Sequence, residues 1–161
     1  MQDDDAGPPA ALDALNTQFA AMPPVAAMRL RAVARDGDRL RLHAPLEANV
    51  NDKGCAFGGS LAGAMTLAGW GLLTMRLAEA GLAADVYVAD SRLRYLAPLF
   101  ADRVAEAWPT PGTDWDAVLR GLRQRGRARI EMVAHVVDAQ GRAVAAFEGR
   151  FAALRGGPAC A

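Results

Sequence analysis

The sequence contains a single lysine. It also has no surplus of charge of either sign and few cysteines, and each of these two features excludes a class of protein. Its 18 basic and 18 acidic side chains leave a formal net charge of zero. A nucleic-acid binder needs a basic surplus to meet phosphate, so we expect no nucleic-acid partner. Cys55 and Cys160 are too few for a disulfide framework. They indicate a reduced protein, and we expect a cytoplasmic location.

We do not expect the amino terminus to act as a signal peptide. Residues 1–10 are acidic and have neither the positive start nor the apolar run of a signal peptide. The 161 residues, of which 52% are hydrophobic and 22% charged, predict one globular domain. We expect an N-terminal tail and short helix over residues 1–22, the domain over 23–155 and a C-terminal tail over 156–161.

One stretch of 20 residues, from Ala56 to Met75, carries no charge. Such a run is long enough to span a bilayer. Its many glycines and hydroxyl side chains lower the gain from insertion into lipid, so we predict no membrane span. A helix buried on nearly every side in a soluble protein explains the same run.

The spacing of apolar residues predicts the other elements. A short helix over residues 10–21 ends at Pro23-Pro24, and Thr113 caps a second short helix over 114–123. Alternating patterns predict strands over residues 25–34, 39–46, 85–96, 103–108, 127–137 and 142–154. A sheet that covers the long apolar helix, from Gly58 to about Ala80, must curl around it. The fold class is therefore α+β, with an antiparallel sheet and a buried helix.

The residues at the start of the long helix carry a family resemblance. Asn51-Asp52-Lys53-Gly54-Cys55-Ala56-Phe57-Gly58-Gly59 resembles the N-x-x-G-x-x-H-G-G segment of hotdog acyl-CoA thioesterases. The longer stretch from Asn51 to Leu73 resembles putative thioesterases of the YiiD C-terminal type. So do the segments ADSRLRYLAP, GRARI and FEGRFAAL. The resemblance implies a hotdog fold, in which a curled antiparallel sheet wraps a long central helix.

The resemblance also implies a homodimer or higher homo-oligomer with active sites at the subunit interface. It implies that the backbone N–H of Gly58 binds the thioester carbonyl and that Asn51 orients the carbonyl or a water. Phe57 stands where the superfamily has histidine, and Thr66 stands where it has the catalytic carboxylate. No cofactor is implied beyond the coenzyme A or phosphopantetheine of an acyl-CoA or acyl-carrier-protein substrate.

Thioester hydrolysis requires a donor for the oxyanion and a group that activates water. Gly58 suits the first role, because a glycine at a helix start lets a ligand approach free N–H groups. It could equally serve only to bring the helix close to the sheet. Asp90 is the candidate base, since the alternation of the strand over 85–96 places it with Val86 and Val88. An ion pair with Arg92 or Arg94 is the alternative.

Small residues along the helix would leave room for an acyl chain. We expect a substrate-binding surface formed by Phe57, Gly59, Ser60, Ala62 and Gly63, with Ser91 and Thr66 positioning water. Arg125 and Arg127 belong to an arginine-rich segment that could bind the phosphates of coenzyme A, or simply form a solvated face. Neither His43 nor His135 has a partner at metal-ligand spacing, so no metal is expected.

The sequence therefore predicts an acyl thioesterase that acts on acyl-CoA or acyl-carrier-protein thioesters. A non-catalytic acyl- or CoA-binding hotdog module is the first alternative, favoured by the missing helix carboxylate. A hotdog enoyl-CoA hydratase or dehydratase is the second. It would need a histidine base near an acid, and His43 and His135 do not match that motif.

Overall fold

The computed structural model describes residues 9–156, so residues 1–8 and 157–161, with Cys160, lie outside the described range. The helices are α1 (Pro9–Ala21), α2 (Pro23–Ala27), α3 (Gly58–Glu79) and α4 (Trp115–Arg125). The strands are β1 (Arg31–Asp36), β2 (Arg39–Ala44), β3 (Asp85–Tyr95), β4 (Arg103–Pro109), β5 (Arg127–Val137) and β6 (Ala143–Leu154).

The six strands form one sheet in the order β1-β2-β4-β5-β6-β3, and every neighbouring pair is antiparallel. The sheet curls around α3, which contacts β2, β3, β4, β5 and β6. This arrangement confirms the predicted α+β hotdog fold. It leaves β1 and β3 as the two edge strands.

The uncharged stretch forms the core helix α3, as predicted. A Cβ atom at Gly69 would lie 2.8 Å from the ring of Phe151, and one at Gly71 would lie 2.9 Å from Leu40. These glycines therefore let the helix approach the sheet closely. Within residues 9–156, α3 alone is long and apolar enough to cross a membrane, yet 56% of its most apolar 18-residue window is buried in the protein.

The predicted strand over residues 25–34 is wrong in its first half. Pro23 and Pro24 occupy the first two positions of α2, where a missing N–H costs nothing and the fixed φ suits a helix. The strand β1 then begins at Arg31. Likewise, the cap of α4 is Asp114, whose carboxylate accepts the N–H of Ala117 at 3.1 Å, and not Thr113.

Helix α1, which the sequence placed with the tail, packs into the same core. Its apolar face buries Leu12, Leu15 and Phe19. The ring of Phe19 lies 6.2 Å from that of Trp70 on α3. The helix thus packs against β1 and α3.

Strand β3 does not alternate regularly, because a bulge interrupts it. Val88 pairs with Phe151 and Asp90 pairs with Arg150, so Ala89 has no partner on β6. Directly paired residues share a face of the sheet, and an extra residue shifts the alternation. Val88 therefore faces α3 with the buried Phe151, while Asp90 faces outward with the exposed Arg150. The prediction that Val86, Val88 and Asp90 share one face is wrong for this reason.

Candidate active site at the start of the central helix

A buried asparagine that the sequence analysis did not single out holds the loop before α3. The Nδ2 group of Asn49 donates to the carbonyl oxygens of Met28 at 2.9 Å and of Pro45 at 2.7 Å. The backbone carbonyl of Asn49 accepts the N–H of Phe57 at 2.8 Å. Asn49 thus fixes the point at which the chain enters the helix. The local sequence gives no sign of this role, because it depends on a contact with Met28, which is distant in the sequence.

Asn51, the predicted site residue, shapes the loop itself. Its Oδ1 accepts the N–H of Lys53 at 2.8 Å and that of Cys55 at 3.1 Å. Its Nδ2 lies 3.2 Å from the Sγ of the buried Cys55. The amide oxygen therefore stabilises a tight turn through its two backbone contacts, and Nδ2 has one N–H group beyond the one that donates to Cys55.

The first turn of α3 presents free N–H groups. Phe57 is the N-cap residue in an extended conformation (φ −64°, ψ 131°), and its side chain makes no cap hydrogen bond. The N–H groups of Ser60 and Leu61 donate to the carbonyl of Phe57. Those of Gly58 and Gly59 make no such bond to any residue in 9–156, as the first turn of a helix requires. With the helix dipole, they favour negative charge.

Exposed apolar side chains surround this helix start. The apolar rim consists of Val50, Phe57, Tyr95, Leu96 and Phe100, each of which is 48–65% exposed. The Tyr95 ring, at the end of β3, would lie 3.6 Å from a Cβ atom at Gly58. The N–H of Ala56 bonds to the carbonyl of Leu99, which joins the loop to the segment after β3. A cluster of this kind around free donors is typical of a binding surface.

The predicted surface along the helix is only partly uncovered. Ala62, Gly63 and Thr66 are half-buried and follow Gly59 by three, four and seven residues, which places them on one face. A Cβ atom at Gly63 would meet the Met28 methyl at 3.3 Å. Ser60, in contrast, is buried in the core, so the structure does not bring it to this face.

Asp90 lies on the other side of the sheet. Its carboxylate pairs with the Arg150 guanidinium, and both side chains are about half exposed. The neighbouring Ser91 pairs with Gly149 and faces α3. The structure thus does not bring Asp90 together with Gly58 or Thr66. It supports the ion-pair alternative, with Arg150 from β6 as the partner in place of Arg92 or Arg94.

Arg125 and Arg127 lie at the opposite end of the molecule from Gly58. Arg127 pairs with Leu154, which pairs with Asp85 at the start of β3, whereas Tyr95 beside Gly58 is at the end of β3. Arg125, the last residue of α4, is two residues before Arg127. The 22 residues of α3 span about 33 Å at the usual rise per residue. Within one chain these arginines therefore cannot reach a ligand at the helix start.

The two histidines are also remote from the helix. His43 lies 3.3 Å from Asp102, and His135 lies 3.3 Å from Glu106, both on the outer face of the sheet. The pKa of Asp102 is lowered, chiefly by the N–H of Leu46, which donates to it at 2.8 Å. In the part of the chain that the structure describes, no three His, Cys, Asp or Glu side chains are arranged to hold a metal.

Arg103, the first residue of β4, is buried beneath the loop. It is 1% exposed and pairs across the sheet with the buried Ala44, which leads into Pro45. None of its three side-chain nitrogens has a hydrogen-bond partner among residues 9–156. Burial lowers its pKa to about 10. An unpaired buried cation costs several kcal/mol of stability. The residues next to Arg103 in the sequence do not indicate that it is buried and unpaired.

Known proteins share both the sequence and the arrangement. The family model described as putative thioesterase (yiiD_Cterm) matches residues 12–155. A Chlorobaculum tepidum TLS protein of unknown function is 28% identical, with 91% of this chain and 99% of that chain covered and a TM-score of 0.83. A putative thioesterase from Shewanella oneidensis is 25% identical, covers 90% and 98%, and has a TM-score of 0.81.

A more distant structure shares the fold. A thioesterase from Haemophilus influenzae superposes with a TM-score of 0.70 at 15% identity, with 89% of this chain and 90% of that chain covered. The family match extends from within α1 to the end of β6. The chain therefore belongs to the putative thioesterase family of the YiiD C-terminal type.

Proposed function

We propose that the protein hydrolyses acyl thioesters carried by coenzyme A or by an acyl carrier protein. The observation that carries the proposal is the pair of free N–H groups of Gly58 and Gly59, set among the apolar side chains of the rim. A thioester carbonyl placed there would develop its oxyanion charge against two donors and the positive end of α3. The acyl chain would follow the half-buried face of the helix.

The site is completed by a second copy of the chain in this proposal. Strand β3 is an edge strand of 11 residues, and nine of them are exposed. Long exposed edges are normally paired or protected. Antiparallel pairing of β3 with its own copy would bury Tyr95 and cover the open face of α3. A homodimer, or an assembly of such dimers, is therefore the working form.

The same antiparallel pairing of two β3 strands would bring the arginines of one copy near the helix start of the other. Arg127 pairs with Leu154, which pairs with Asp85 at the start of β3, so it lies about 10 Å from that edge. In an antiparallel dimer, the start of one β3 lies beside the end of the other. Arg127 and Arg125 of the second copy would thus approach the Gly58 end and could bind the phosphates of the carrier.

Light scattering is expected to give at least twice the chain mass at micromolar concentration, because the exposed edge strand and rim are buried only in an assembly. Dilution should then release monomer and weaken any hydrolysis in parallel. A monomeric mass in a preparation that hydrolyses thioesters at full rate would exclude the shared site.

Water activation falls to hydroxyl and amide groups in this proposal. Ser91 pairs with Gly149 and so lies on the face of β3 that is turned towards α3, Thr66 is half-buried on α3, and Asn51 contributes Nδ2 from the loop. They would hold a water for attack on a carbonyl polarised by Gly58, and the thiolate that leaves as the C–S bond breaks would take up the proton that the water loses. Such a site lacks a strong base, which predicts modest turnover.

The change Asp90→Asn is expected to leave kcat within about threefold of the parent and to cost at most about 1 kcal/mol of stability, as for an exposed ion pair. The measurement is kcat on the best acyl-CoA together with a melting curve, with Asp85→Asn on the same strand as the control. A fall in kcat of about 100-fold or more without loss of stability would restore Asp90 as the base.

A hydrolysis screen across acyl-CoA chain lengths and an acylated carrier protein tests the function directly. Release of free thiol supports the proposal and identifies the carrier. Tight binding without turnover would favour the non-catalytic acyl-binding module. The presence of Thr66 where the superfamily has a catalytic carboxylate also supports that alternative. Hydration of an enoyl-CoA would favour the hydratase, although His43 and His135 face away from α3.

The free, buried Cys55 supports the proposal of a cytoplasmic location.

A further inference from the structure

Helix α1 protects one of the two edges of the sheet. The side-chain amide of Asn16 donates from Nδ2 to the carbonyl oxygen of Ala32 on β1 at 3.0 Å, and its Oδ1 accepts the Ala32 N–H at 2.7 Å. One carboxamide thus makes the two hydrogen bonds by which an added antiparallel strand would pair with Ala32. Because α1 also packs on β1, strand addition is directed to the other edge, β3.

The β3 edge is open to a neighbouring strand. Nine of its 11 residues are exposed. Among residues 9–156, the Trp70 indole alone donates a side-chain hydrogen bond to its backbone, at the Val86 carbonyl (2.9 Å). A carbonyl oxygen can accept two such bonds, so Val86 can still pair with an added strand.

The outward side chains of β3 change from acidic to basic along the strand. Asp85, Tyr87, Asp90, Arg92 and Arg94 share the outer face, because each pairs with an outward residue of β6. Neither Arg92 nor Arg94 forms an ion pair with a carboxylate of residues 9–156. In an antiparallel pair of two such strands, the acidic half of one copy therefore meets the basic half of the other.

Symmetry leaves few registers for this pairing. Directly opposite residues share a face and consecutive residues do not, so the two-fold axis must pass through a residue position. An axis at Asp90 or at Arg92 would place identical charges opposite each other, and one at Leu93 would place Arg92 opposite Arg94. An axis at Val88 would leave the last three residues of each β3 without a β3 partner.

We infer that two copies pair through β3 with Ser91 on the two-fold axis, so that each Asp90 lies opposite the partner's Arg92. The inference rests on the homodimer of the proposed function and adds its register. Glu131, Arg150 and Asp90 lie side by side on the outer face, and Arg92 pairs with Glu148. Charges of alternating sign then run from Glu131 of one copy to the partner's Glu148. Opposite charges in direct cross-strand pairs stabilise a sheet.

Cysteine cross-linking tests the register, in a Cys160→Ser background with the buried Cys55 kept as in the parent. Two copies of Ser91→Cys would have Cα atoms about 4.5–5.5 Å apart, a separation that disulfides span, so mild oxidation should yield a covalent dimer. Two copies of residue 90, or of residue 92, would be about 8 Å apart, beyond the reach of a disulfide. Asp90→Cys and Arg92→Cys should therefore cross-link only when they are mixed.

The inference is overturned if Asp90→Cys or Arg92→Cys alone cross-links as readily as Ser91→Cys, or if neither Ser91→Cys nor the mixture yields a covalent dimer. Cross-linking requires no substrate. The register can thus be confirmed even if the protein hydrolyses no thioester, and hydrolysis can be found even if the register is wrong.

Charge reversal at Arg92 tests the ion pair itself. Arg92→Asp places an acid opposite the partner's Asp90 at both symmetry-related positions, so the dissociation constant of the dimer should rise by about tenfold or more. Arg129→Asp changes the charge equally, but this exposed residue lies on β5, two strands from the edge, and its effect should stay within about threefold. Equal rises in the two variants would overturn the assigned pairing.

Discussion

Replacing Gly58 by proline is expected to lower kcat for thioester hydrolysis by about 100- to 1,000-fold, the usual effect of losing one oxyanion donor. Proline removes the N–H that the proposed mechanism places on the oxyanion. It does so at the first position of α3, where that N–H has no partner in the described chain and where proline is favoured. The preceding Phe57, at φ −64° and ψ 131°, already has the extended conformation that a following proline requires.

The matched control is Gly58→Ala, which keeps the N–H. Its Cβ atom would lie at an ordinary contact distance of 3.6 Å from the Tyr95 ring, so the variant should fold and retain most of the activity. Melting curves of both variants should resemble that of the parent. Parent-level kcat in a folded Gly58→Pro protein would show that the oxyanion is held elsewhere, with the N–H of Gly59 as the next donor to test.

Replacing Arg103 by methionine is expected to raise the free energy of unfolding by about 3 kcal/mol at pH 7. Burial holds the pKa of Arg103 at about 10, well below its ordinary value, and each pH unit of difference corresponds to about 1.4 kcal/mol. Because the unfolded chain binds the proton more tightly, the penalty is fully present below pH 10 and fades as the pH rises above that value. Methionine fills a similar length of the core without a charge.

Arg35 provides the contrasting control for chemical denaturation at fixed protein concentration. It is 6% exposed, but its guanidinium pairs with Glu79 and its Nε donates to the Gly37 carbonyl at 3.0 Å. Arg35→Met should therefore destabilise the protein, since it removes the hydrogen bonds that the buried guanidinium makes to Glu79 and to the Gly37 carbonyl. Destabilisation by Arg103→Met as well would mean that an ordered water or an anion satisfies the Arg103 guanidinium.

The features that the sequence predicts correctly are those with a local cause. A run of apolar and small residues specifies α3, alternation specifies five of the strands closely, and the Gly58-Gly59 pair marks the helix start. The strand over residues 25–34 fails because its alternating pattern competes with Pro23 and Pro24, which favour the first turn of a helix. The sequence of this segment is therefore compatible with both a strand and the first turn of a helix.

The parts of the site that the sequence does not predict depend on contacts between distant residues. Asp90 meets Arg150 only because β3 pairs with β6 in a particular register. Asn49 differs from other loop asparagines through its bond to Met28, and the isolation of Arg103 depends on everything packed around it. No window of neighbouring residues contains this information.

The bulge at Ala89 divides β3 into two half-strands of opposite phase, and this has a consequence for how the gene can change. Removing one codon there would restore regular alternation and exchange the faces of every later residue in the strand. Tyr95 and Ser91 would then turn away from α3, and Asp90 would turn towards it. A substitution in β3 alters one side chain, whereas a single-residue deletion at the bulge would move every later side chain of the strand to the opposite face of the sheet. We therefore expect descendants of this sequence to vary in the composition of β3 far more readily than in its length.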